Sequence, residues 1–229
     1  MKRRFLALVA LCGSGAAMFG QVPVNTTNTD TGFQVRYAAN LAIGDSVVNF
    51  TNSGAISTQA CLGAGCPVNG GTSFAQNGDI CANVYAYSPD EQLVSCCSCN
   101  VTPNALNSLS GKGDLASNTL TPIIPSALVI KVLATPGGAA CTAASAATIT
   151  QGSLVRGLIA WGTTIHALPV TAGTPATTYG VTETEFNMAQ LSEAEFNRMT
   201  QLCAFIRANG SGYGICKSCK IGGLGAAVK

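Results

Sequence analysis

Alternation of apolar and polar positions dominates the chain between residues 32 and 168, and it reads as β-strand. The strongest stretch runs from Ile80 to Thr102, two alternating runs joined by Ser88-Pro89-Asp90-Glu91. Proline at the second position of such a turn presets the required φ, and Ser and Asp are common turn formers. Ile80, Ala82, Val84 and Ala86 fall on one face of the first run, with Cys81, Asn83, Tyr85 and Tyr87 on the other. In the second run Leu93, Ser95, Cys97 and Cys99 alternate with Val94, Cys96, Ser98 and Asn100, so folding about the turn brings Cys81 near Cys97 to Cys99. Further strands are expected where Phe33, Val35 and Tyr37 alternate with Gln34 and Arg36, over Ser46–Thr51, over Ser126–Thr135 with Lys131 opposite its apolar face, and over Ser153–Leu168. Residues 60–79 and 103–125 read as long connections.

The period changes after Val181. Thr182-Glu183-Thr184-Glu185 and Ser192-Glu193-Ala194-Glu195 both have the form of a capping box, the second followed by Phe196, Met199, Leu202, Cys203 and Ile206 at helical spacing. Arg207 and Asn209-Gly210 supply the stop, and a glycine-rich tail follows. The expected division is therefore 1–20, 21–181 and 182–229.

The first segment has a signal-peptide pattern: Lys2, Arg3 and Arg4, then apolar Phe5–Cys12, then small residues to Gly20. Leu11 before Cys12 argues against lipid attachment, and the other apolar runs are interrupted by proline or charge before reaching membrane-spanning length. Of 12 basic and 10 acidic residues, three basic ones lie in this segment, so its removal leaves nine against ten, a net charge of −1. No basic patch with interleaved aromatics is present, and nucleic-acid binding is not expected. The expected location is secreted or extracytoplasmic.

Cysteine usage points the same way. Beyond Cys12 there are ten: Cys61, Cys66, Cys81, Cys96, Cys97, Cys99, Cys141, Cys203, Cys216 and Cys219, an even set suited to disulfides in an oxidising compartment. Spacing leaves the pairing open. The expectations are Cys61–Cys66, Cys81 with Cys97 or Cys99, and Cys203 with one of Cys216 and Cys219. The pairs Cys96-x-x-Cys99 and Cys216-x-x-Cys219 also have zinc-ligand or thiol-redox spacing. Their separation of 116 residues exceeds a zinc ribbon, and the second pair follows a helix rather than opening one.

Chemistry-bearing residues are sparse. His166 is the single histidine and no G-x-S-x-G accompanies it, so an ordinary strand-end histidine is expected. Asp90 and Glu91 fall in a turn, Asp45 and Asp79 follow glycines, and Glu183, Glu185, Glu193 and Glu195 sit where helix first turns welcome negative charge. The glycines of residues 60–79 lack the Gly-Lys-Ser/Thr of a phosphate loop. Tyr85, Tyr87 and Trp161 are the candidates for a sugar-stacking platform, against ordinary β packing. No catalytic, metal or cofactor site is expected.

The run GDSVVNFTNSG, Gly44–Gly54, resembles the opening strand of bacterial immunoglobulin-like surface repeats. That resemblance implies a β-sandwich. The fold expected for the whole is mainly β, a disulfide-reinforced immunoglobulin-like or jelly-roll-like sandwich with one C-terminal amphipathic helix. The expected function is that of an exported, non-catalytic structural or cell-surface protein whose partners are copies of itself or other surface components. The alternative is a secreted carbohydrate- or ligand-binding module, and a thiol-redox or zinc protein stands third.

Overall fold

The computed structural model describes residues 32–55, 78–169, 178–217 and 219–221. The expected signal segment, the polar arm at 21–31, the loop at 60–77 and the Cys61–Cys66 bridge lie outside the described residues.

The fold is mainly β, with two five-stranded antiparallel sheets and one long helix. The first sheet has the order β4 (Leu93–Val101), β3 (Ile80–Tyr87), β6 (Leu128–Pro136), β1 (Phe33–Ala38) and β9 (Asn187–Met188). The second has the order β10 (Lys220–Ile221), β5 (Leu106–Ser110), β2 (Val47–Asn52), β7 (Leu158–Ala167) and β8 (Tyr179–Glu185). The sheets share one buried core: Ala82, Val84, Ile130 and Val132 from the first meet Val48, Phe50, Leu109 and Ala160 from the second. Removing such side chains from water is the main favourable contribution to folding.

The outer face of the first sheet carries a second apolar layer. Helix α1 (Glu193–Ala208) buries Phe196, Met199, Cys203 and Ile206 there, with Tyr85, Leu133 and Cys96 in the same cluster. The Ser192 hydroxyl accepts a hydrogen bond from the Glu195 amide, the expected N-cap. The Glu195 carboxylate pairs with Lys131 on β6, tying the first helical turn to the sheet. The helix ends at Asn209, and Gly210 takes a positive φ. Single turns of 3-10 helix at Ser145–Ala147 cover the rest of this face, where Ala146 is held at both ends: its carbonyl accepts from Tyr85 Oη, and its amide donates to Ser98 Oγ.

Both open sides of the core are closed by chain crossings. On one side β8 leaves the second sheet, Phe186 is buried, and β9 joins β1 of the first. On the other, the backbone at 214–216 pairs with Cys96 of β4, and β10 then pairs with β5 of the second sheet.

Four local expectations change. Thr182–Glu185 caps no helix; it is part of β8, because seven residues find antiparallel partners on β7. The connection 103–125 contains β5 and a π-helical turn, Gly111–Leu115. The strand expected from Ser153 starts at Leu158. A register irregularity at the β3–β4 turn, where Tyr87 pairs with Leu93 and Ala86 with Ser95, sends Leu93 to the outer layer with Cys96 and Val94 to the core with Cys97.

Candidate functional site

Strand β4 places three cysteines, Cys96, Cys97 and Cys99, by pleat alone. Cys97 and Cys99 point into the core between the sheets, whereas Cys96 points out towards the helix. Each forms a cystine with the C-terminal part of the chain: Cys96–Cys203, Cys97–Cys216 and Cys99–Cys219. The fourth described bridge is Cys81–Cys141, which pins the 3-10 segment onto the outer face. Two expected pairings are therefore corrected. Cys81 lies opposite Asn100 in register and on the outer face, so its side chain cannot meet Cys97 or Cys99 across the pleat. Cys203 bonds Cys96 rather than a tail cysteine, because the helix packs outside the sheet while the tail passes its edge.

The same geometry separates the C-x-x-C pairs. Neither closes on itself, and their four sulfurs are distributed over three cystines rather than converging on one point.

The other candidates are scattered. His166 lies partly exposed on β7 opposite Gly180. Asp45 accepts from Ser110 Oγ and the Lys112 amide, and so shapes the β5 turn. Asp90 accepts from Ser88 Oγ within the β3–β4 turn, and Glu91 pairs with Arg198. The backbone oxygen of Asp79 accepts from the Gly137 amide. Glu183 and Glu185 project from β8, and Glu193 opens the helix. Tyr85 and Tyr87 are buried beneath the helix and its neighbouring loop, and Trp161 belongs to the other sheet, so the three do not share a platform. Burial pushes the Tyr85 and Tyr87 phenols well above their ordinary range; the neighbouring Tyr87 adds to the shift of Tyr85, and the Glu195 carboxylate adds to that of Tyr87, with Arg198 opposing it.

Sequence reasoning missed two features. The first is the inward turn of Gln34 and Arg36, which are buried towards the second sheet while Tyr37 is exposed. Gln34 Nε2 donates to the Leu158 carbonyl and Oε1 accepts from the Ala160 amide, completing β7 where β8 does not pair with it. Arg36 donates to Thr184 and Thr164 and lies 5.7 Å from the centre of the Phe186 ring. Burial lowers its pKa, with Glu183 opposing that shift. Arg36 thus fastens the β8–β9 crossing.

The second is a concentration of exposed apolar side chains at one end. Tyr37, Ile43, Ile123, Ile124, Tyr179 and Val181 are all exposed. Register places Tyr37 level with Tyr87 at the β3–β4 turn, and the Leu41 amide joins the loop after β1 to Ser126. A groove of about 370 Å³ opens there between Ser88, Pro89, Val94, Thr121, Ile123 and Pro125. Apolar surface left exposed at one end in this way is where folded proteins tend to make contacts.

Comparisons with protein-family models, with curated proteins and with solved structures found no match. Four cystines fit a location outside the cytoplasm, and among the described residues no helix is long and apolar enough to cross a membrane.

Proposed function

We propose that this protein is an exported, non-catalytic structural or cell-surface component that assembles with copies of itself, built as a disulfide-reinforced β-sandwich of the immunoglobulin-like or jelly-roll-like kind. The observation that carries the reading is the triple cystine on β4, which ties the helix and the tail to a single strand. Such cross-links persist only where thiols are not kept reduced, and they serve a chain that must stay folded without cellular maintenance. The exposed apolar end supports assembly.

The test is fractionation of producing cells with thiol alkylation, followed by sedimentation velocity of the purified protein over a hundredfold range of concentration. The reading expects an extracytoplasmic protein without alkylatable thiols whose mean mass rises with concentration. A cytoplasmic protein with free thiols overturns the location, and a monomer at every concentration overturns the assembly.

A further inference from the structure

The three cystines on β4 differ in what surrounds them and in what they hold. Cys96 and Cys203 are both 0% exposed, and Cys97 and Cys216 are 4% and 8% exposed. Cys99 is 1% exposed, but its partner Cys219 is only partly buried. Thiol–disulfide exchange requires a thiolate to approach a sulfur in line with the S–S bond, so access decides which bridge reacts.

The bridge also has a distinct mechanical role. Residue Cys219 immediately precedes β10, and β10 forms one edge of the second sheet. That edge strand is only Lys220–Ile221, paired with Ser108 and Asn107 of the five-residue strand β5. Two residues of ladder are marginal on their own, and the next covalent anchor upstream is the protected Cys97–Cys216 bridge.

We propose that Cys99–Cys219 is a redox latch that keeps the β5 edge of the second sheet covered. The reductant is a dithiol, either a small molecule or a thioredoxin-like protein. Its first thiolate attacks Cys219 Sγ, giving a mixed disulfide and releasing Cys99 as a thiolate that takes up a proton. Its second thiol displaces Cys219 as a thiol, so the dithiol becomes a disulfide and two electrons and two protons pass to the cystine. The tail stays tethered through Cys216 while β10 leaves, and the outward N–H and C=O groups of β5 become free for another strand.

Cys141 of the Cys81–Cys141 bridge is also only partly buried, but opening that bridge frees no edge. The 3-10 segment behind it remains held by Tyr85 Oη and Ser98 Oγ on Ala146 and by Arg207 on the Ala143 carbonyl.

The experiment is graded reduction of the intact protein with dithiothreitol, alkylation, peptide mapping, and hydrogen exchange of the same samples. The expected result is alkylation of Cys99 and Cys219 at a dose that leaves Cys96, Cys97, Cys203 and Cys216 oxidised. Exchange then rises at least about tenfold at the β5 amides facing β10, with β2 and β7 unchanged. The double variant Cys99→Ala with Cys219→Ala reproduces that exchange pattern without reductant. Loss of all three β4 cystines in one step overturns the proposal, as does selective opening that leaves β5 protection unchanged.

Discussion

The nesting of the cystines makes a prediction that runs against sequence separation. Cys99–Cys219 spans 120 residues and Cys81–Cys141 spans 60, so in an otherwise unlinked chain the former would restrict the unfolded state more. In this chain Cys97–Cys216 already brings the same two regions together, two residues from Cys99 and three from Cys219. The loop that Cys99–Cys219 adds is then only ~6 residues, worth ~2 kcal/mol of unfolded-state entropy. No such short circuit serves Cys81–Cys141, whose 60-residue loop is worth about 4 kcal/mol. Each pair joins one buried and one partly exposed cysteine, so replacing both partners by alanine removes similar packing. The difference reports the loops. Guanidinium unfolding of the C81A/C141A and C99A/C219A variants under oxidising conditions should show the first ~2 kcal/mol less stable than the second. Equal losses, or a larger loss for C99A/C219A, would refute the nested arrangement.

Three other outcomes follow from the geometry. Gly162→Ala drives a Cβ into the Val47 carbonyl oxygen between two paired strands, and thermal unfolding should show a loss of about 3 kcal/mol, whereas Gly152→Ala meets nothing within 4 Å and should be near neutral. Thr164→Val on β7 removes the acceptor of Arg36 Nη2, leaving a part-buried donor unpaired at a cost of about 1–3 kcal/mol in denaturant titration. Tyr85 and Tyr87 stay protonated in the folded state above pH 10 while the unfolded chain ionises. Their contribution is complete below pH ~10 and is lost as pH rises, with a slope of up to ~1.4 kcal/mol per pH unit for each phenol; Tyr85→Phe with Tyr87→Phe should flatten the alkaline limb.

The hairpin at 80–102, the strand after Ser126 and the capped helix were legible because local pattern and tertiary role agree there. The β8 segment misled because Thr-x-x-Glu spacing suits a helix start, and only its pairing with β7, distant from any local signal, makes it a strand. Gln34 and Arg36 misled for a related reason. Alternation assigns two faces but does not say which is inside when both are covered, and here the polar face meets backbone groups that need partners. Cystine partners depend on which side of β4 each later segment passes, which no spacing encodes. The apolar end was invisible because Tyr37, Ile43, Ile123, Ile124, Tyr179 and Val181 come from four separated segments that only the strand topology brings to one end.

The central claim is that β4 staples the helix outside the first sheet and the tail along its edge. Peptide mapping of the unreduced protein, digested at acidic pH to prevent exchange, tests it most directly. The peptide carrying Cys96, Cys97 and Cys99 should be joined to peptides carrying Cys203, Cys216 and Cys219, and Cys81 should be joined to Cys141. A bridge from Cys81 to Cys97 or Cys99, or closure of Cys216 onto Cys219, would contradict it.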